Sequence, residues 1–248
     1  MPDLGRDQED NTHTGSGPTP EGGLSRRRVM TASAVAAGAG LASASACSSS
    51  GSQDTGTGDQ AVSLGAPGTT TVEFRGRVTQ SGQSFTSYGY LIRASHADQG
   101  DLFSGTALSE KTALLTAYAT GDLQARVTDV SVSSSVHSLD IVGTMTIYQR
   151  SQPGASFADP SSFQVGTPVA SYDMTLQDVL TVIGLGQGLP TLTGDMLQTA
   201  AGTLSGPLAG QKFGRPGAQL RFFATGLGAL INSSPNSQLE IAGNWSIE

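Results

Sequence analysis

The sequence predicts an all-β fold: an antiparallel up-and-down barrel of about eight to nine strands, with a β-sandwich as the alternative. Three observations carry the prediction. Apolar and polar residues alternate through most of residues 69–248, as in strands with one face buried and one solvated. The connections between several of these runs are short and glycine-rich, which makes sequence neighbours antiparallel neighbours in space. Glycines also recur inside the runs, at Gly76, Gly89, Gly143, Gly194, Gly202 and Gly243, where a closing sheet needs bends and close backbone approaches. Closure favours the barrel, because it removes the edges through which exposed strands pair with other chains.

The runs follow in order. Residues 71–79 alternate strictly, and Ser81-Gly82-Gln83 turns them into 84–93. Residues 112–120 and 123–134 read as two strands joined by Gly121-Asp122, a two-residue hairpin loop. Residues 137–150, 168–183, 190–205, 218–226 and 238–248 complete nine runs. Within 168–183, Leu176, Val179, Leu180 and Ile183 also fit a helical face. Bracketing Gly and Pro residues, and β-branched residues at its close, favour a strand. Gly184-Leu185-Gly186-Gln187-Gly188 is a longer hairpin end. Residues 151–167 are too long for a turn and read as a structured loop anchored by Phe157 and Phe163; loops of that length are commonly functional.

The pattern resembles the barrels of the allene-oxide-cyclase and dirigent proteins, on Phe74-x-Gly76, Gly143-Thr144-Met145-Thr146-Ile147-Tyr148 and the closing Gly243-x-Trp245. The resemblance implies long strands and glycine-rich turns. No pair of residues here matches that family's catalytic acid and base, so it implies no activity.

The N-terminal part has a different character. Residues 1–24 are polar, Ser25-Arg26-Arg27-Arg28-Val29-Met30 closes them with positive charge, and residues 29–46 carry none. Ala44-Ser45-Ala46 places small residues before Cys47, the only cysteine. This layout resembles the export segment of bacterial lipoproteins that use the twin-arginine route. The resemblance makes 1–46 a signal peptide, with Arg26 and Arg27 as the export signal. It makes Cys47 the lipid-bearing mature N-terminus, at the outer face of the cell membrane or in the cell envelope. It departs from that family at Ala44, where Leu is usual; plain cleavage after Ala46 is the alternative. A transmembrane helix fits poorly, because Thr31, Ser33, Gly38, Gly40, Ser43 and Ser45 dilute the apolar stretch. With no second cysteine, Cys47 has no intramolecular disulfide partner. Residues 47–68 are mostly Ser, Gly, Thr and Asp, the composition of a disordered tether. Twin-arginine export implies a domain, residues 69–248, that folds before it crosses the membrane.

Residues 47–248 carry nine basic and fifteen acidic side chains. That balance argues against nucleic acid, which wants a basic stripe, and against direct docking on anionic lipid. Metal and cofactor sites are not expected. His96 and His137 stand far apart, and Asp98-Gln99-Gly100-Asp101 lacks the ligand spacing of a calcium loop. There is no Gly-x-Ser-x-Gly elbow, and Gly184-x-Gly186-x-Gly188 has no Lys-Ser/Thr after it. A catalytic triad through His96 or His137 stays open, because triads are spatial. Asp129, Asp140, Asp173 and Asp178 fall in or near strands; one that faced inward would be a ligand contact or an acid/base group.

The residues that would line a ligand cavity, if their parity points inward, are Tyr88, Tyr118, Arg126 and Tyr148. Arg215, in the Phe213-Gly214-Arg215-Pro216-Gly217 turn, would stand at a barrel mouth facing an anionic group. The expectation is a non-enzymatic envelope barrel binding a small apolar or amphipathic ligand, or an envelope protein. The alternative is a cyclase- or isomerase-type enzyme that shapes its substrate in an apolar cavity.

Overall fold

The computed structural model describes Val62 and residues 65–130, 134–184, 186–230 and 236–248. The expectations for residues 1–61, including Arg26, Arg27 and Cys47, lie outside the described residues. Eight strands, β1 (Thr70–Ser81), β2 (Ser84–Ala94), β3 (Leu115–Val130), β4 (Ser135–Gln149), β5 (Thr167–Gly184), β6 (Gln187–Ala201), β7 (Gln219–Leu230) and β8 (Ser237–Ile247), form a closed antiparallel barrel in sequence order. Closure is made by β1 and β8, with Gly76 opposite Ile241 and Val78 opposite Leu239. One α-helical turn, α1 (Gln99–Leu102), and two 3-10 turns, Pro160–Gln164 and Gly206–Leu208, lie in the connections.

Eight strands replace the nine runs read from sequence because Gly121-Asp122 is not a turn. It sits inside one continuous β3, where Gly121 lies opposite Gly143 of β4. A β-carbon on Gly143 would stand 2.2 Å from the Thr120 carbonyl oxygen. The glycine pair therefore serves close approach of two bent strands. Gly76 and Gly89 form a second such pair across β1 and β2; a β-carbon on Gly89 would come within 2.3 Å of the Arg75 oxygen. The ambiguous segment 168–183 lies in the strand β5, paired on both sides along its length.

Register sets the two faces. Inside, Phe74 stacks on Phe222 at 5.3 Å between ring centroids, and Trp245 meets Phe74 at 6.0 Å and Tyr172 at 5.6 Å. Ring pairs at such distances add to the area they bury. Outside, Arg77 pairs with Glu240 and Arg93 with Glu73.

The two ends differ. The long connections among the described residues, 95–114, 150–166 and 202–218, leave from one end; at the opposite end the antiparallel strands follow one another after a few residues. Near the loop end the inward side chains Val72, Leu115, Ile147, Tyr172, Leu220 and Trp245 are at most 2% exposed. The segment 202–218 is stitched to inward-facing Gln198. The Gln198 Nε2 donates to the carbonyls of Phe213 (2.8 Å) and Ala200 (2.9 Å), and its Oε1 accepts from the Arg215 backbone N–H (2.9 Å). Val62 is held there too: its N–H donates to the Lys212 carbonyl and its own carbonyl accepts from Gly214, both at 2.8 Å.

The loop 150–166 folds back over the outer wall. Phe157 and Phe163 lie against the outward rings of Tyr88 and Tyr90, at 5.4 to 6.2 Å, and the Arg77 guanidinium stands 5.0 Å over the Phe157 ring. Buried Arg150 holds the loop by donating to the carbonyls of Gln152, Ser162 and Val165. Desolvation pulls its pKa below the usual value, although arginine stays charged in proteins. Thr116 Oγ1 adds a 2.8 Å bond to the Phe163 carbonyl.

Candidate functional site in the barrel interior

Inside the barrel Gly76, Gly89 and Gly121 line the wall without side chains, and a cavity of about 70 Å3 remains there. Its walls are apolar, with Phe85 from β2, Met145 from β4, Met174 and Leu176 from β5, Leu192 from β6 and Phe222 from β7. Besides the inward Ser87, one carboxyl breaks the apolar lining. Asp178 lies on β5 in the inward series Met174, Leu176, Asp178, Leu180, and its register partners on the flanking strands are Leu139 and Leu192. It is 1% exposed, and its Oδ1 has no hydrogen-bond partner among the described residues. Burial pushes its pKa up to about 6, and the Thr191 backbone amide works weakly against that rise. An ionised carboxylate without a counter-charge is disfavoured in such surroundings. The indole Nε1 of Trp245, on the same wall, also lacks a partner among the described residues.

The hairpin end opens into a second space of about 190 Å3, which shares Leu239 with the first. Its polar members are Gln80, Arg126, Ser135, His137, Gln187 and Ser237. His137 is hydrogen-bonded on both ring nitrogens: Nδ1 to Thr128 Oγ1 (3.0 Å) and Arg126 (3.4 Å), Nε2 to Ser135 Oγ (2.9 Å). Burial, then the positive charge of Arg126, holds the imidazole pKa below its usual value. Arginine can only donate, so Nδ1 is an acceptor and Nε2 carries the proton. Nε2 therefore donates to Ser135, the reverse of what activating a serine nucleophile requires. The pair is a structural polar clasp at the mouth.

On the outer wall near this end, Val127, Ile183 and Leu227 are 64%, 54% and 68% exposed. Polar inward residues and apolar outward ones thus coexist at the hairpin end, against the pattern in the barrel centre.

Of the residues singled out from sequence, Arg126 faces inward, opposite Leu139 in the hairpin-end space. Tyr88, Tyr118 and Tyr148 share the outward face: Tyr88 is opposite Arg77 and Tyr118, and Tyr148 is opposite Thr116. The Tyr88 ring packs beneath the loop 150–166 against Phe157 and Phe163, although the residue also borders the cavity; desolvation raises its phenol pKa, while Arg77 opposes the rise. Arg215 is exposed in the connection at the filled end, far along the barrel from the hairpin end. The structure therefore does not bring these five together. In the sequence Asp178 is one of four acids in or near strands. Asp129, Asp140 and Asp173 are exposed, and the even-numbered apolar series from 174 to 182 on β5 was the signal that separates Asp178 from them.

Among the described residues no group of three or more His, Cys, Asp or Glu side chains could hold a metal ion. Asp101 accepts the Asp98 backbone N–H at 2.8 Å, capping α1. Among those residues no helix is long and apolar enough to cross a membrane. No protein-family model, curated protein or solved structure matches this chain.

Proposed function

We propose that this is an exported, lipid-anchored envelope protein whose barrel holds a small apolar or amphipathic ligand. The observation that carries the binding part is the apolar cavity with a carboxyl oxygen left unpartnered in its wall. Natively folded proteins rarely bury an unpaired acceptor without a use for it, and pockets of this makeup, apolar with a few placed polar groups, suit small ligands. Its small size fits a slender molecule or the end of a longer one. The export and anchoring part rests on Arg26, Arg27 and Cys47. Two acyl chains on Cys47 would give stable attachment where one would not.

The test of binding is native mass spectrometry of the protein purified without denaturation, followed by organic extraction. A bound molecule at about one per barrel supports the reading. Barrels that are empty on isolation and unresponsive to added small apolar molecules would leave only a role as a partner for another envelope protein, through the exposed Val127, Ile183 and Leu227. For anchoring, Cys47→Ala is expected to move the protein from the membrane to the soluble fraction, and Lys at both Arg26 and Arg27 to stop export. Retention of the alanine variant in membranes would remove the lipid anchor from the proposal.

A second reading, an isomerase- or cyclase-type enzyme, is favoured by Asp178 itself. A carboxyl with a pKa of about 6 can take and return a proton near neutrality. It would show as turnover of a bound molecule that Asp178→Asn abolishes while binding survives.

A further inference from the structure

We propose that the barrel interior selects apolar amines, small amphipathic molecules whose protonated amino group docks on Asp178. The inference rests on the reading of the barrel as a ligand-binding protein and names the chemistry of the ligand. Asp178 is almost wholly buried, its Oδ1 has no partner among the described residues, and that residue lines the apolar cavity. Beyond the Thr191 backbone amide, the carboxyl lacks a hydrogen-bond donor for its Oδ1 and a positive charge beside it. Its register neighbours on β4 and β6, Leu139 and Leu192, supply neither. The inward cation nearest in register is Arg126, opposite Leu139 and so two strands away; its guanidinium is turned to His137.

An ammonium group supplies both missing elements in one contact, and charge-assisted hydrogen bonds of this kind are the strong ones. An alcohol would fill the hydrogen bond and leave the charge uncompensated. A carboxylate or phosphate end would bring a like charge against a buried acid. The apolar part of the ligand replaces empty space beside Phe85, Met145 and Met174, which gains dispersion contacts and removes apolar surface from water. A water occupies about 10–15 Å3 on this measure of volume, so the cavity of about 70 Å3 takes a chain of about five or six heavy atoms. The route of entry we assign runs from the hairpin-end space past Leu239, which borders both that space and the inner cavity.

Trp245, the only tryptophan of the chain, lines the cavity and reports its occupancy. The experiment titrates the full-length chain with n-pentylamine, pentan-1-ol and pentanoate at about pH 8, where the acid is ionised and the amine protonated. Binding is followed by Trp245 fluorescence and, independently, by saturation-transfer NMR on the probes. The expected result is a Kd for the amine at least about tenfold below that of the alcohol, with pentanoate weakest. Asp178→Asn, checked for folding by circular dichroism, should bring the amine to the level of the alcohol and leave the alcohol unchanged. Equal affinities for amine and alcohol in the native protein, or an amine preference that survives in Asp178→Asn, would overturn the amine assignment while leaving ligand binding intact. No response to any of the three by either method would overturn the binding reading as well.

Discussion

Replacing Asp178 by Asn removes a buried charge with little change of shape, and the structure sets the size of the effect. The carboxyl is 1% exposed, and burial raises its pKa from 3.8 to about 6. Keeping it ionised in the folded state then costs about 3 kcal/mol relative to the unfolded chain. Because the folded pKa lies above the unfolded one, the native protein holds this proton longer as the pH rises. Its contribution is fully present below about pH 4 and is lost as the pH climbs through about 6. Asn resembles the protonated acid and has no such dependence. Urea denaturation of both proteins between about pH 4 and pH 8, followed by Trp245 fluorescence, gives the difference in stability while contributions common to both cancel. The variant should match the native protein near pH 4 and exceed it by up to about 3 kcal/mol near pH 8. A difference that stays constant across this range would refute the claim that Asp178 ionises unpaired in an apolar wall.

Other perturbations test the remaining parts of the structure. Gly89→Ala would force a β-carbon to 2.3 Å from the Arg75 oxygen, where only backbone can move; a loss of about 3 kcal/mol or more in urea denaturation is expected. Gly100→Ala, with nothing within 4 Å, should be neutral within about 0.5 kcal/mol. Phe163→Ala removes a fully buried ring that pins the loop 150–166 to the outer wall, with an expected cost of about 3–5 kcal/mol and faster proteolysis within that loop. Arg126→Ala removes one of the two causes that depress the His137 pKa, so NMR titration should show that histidine protonating at a higher pH; an unchanged titration would show that Arg126 does not act on the ring.

Much of the barrel was legible because alternation is a local property. Through Val72–Val78 of β1 the inward residues are apolar or glycine and the outward ones charged, and β8 follows nearly the same rule between Leu239 and Trp245, with Ala242 as the outward exception, so strand, face and neighbour follow from the letters. Gly121-Asp122 misled because a glycine in a turn and a glycine at a close strand crossing look alike in one dimension. Only the partner, Gly143, distinguishes them. The tyrosines misled for a related reason. A strand that is covered on both sides loses its contrast between faces, and β2 carries Tyr88 and Tyr90 outward beneath a loop from far along the chain. Asp178 was legible in part, since it interrupts an apolar series on β5, but its isolation depends on what the flanking strands place beside it.

The sequence by itself determined the class of fold, the direction of most strand faces and the compositional break between a polar, arginine-bearing N-terminal segment and a β-rich remainder. Those follow from period, composition and short connections, which act between residues close in the chain. The tertiary structure decided the strand count, which end of the barrel is filled, where the loop 150–166 lies and which single acid is buried in the cavity wall. Each of these depends on contacts between distant residues, such as Gln198 with Phe213, Phe163 with Tyr88, and Asp178 between Leu139 and Leu192. Desolvation of a carboxyl is a property of everything around it, and no pattern along the chain contains that information.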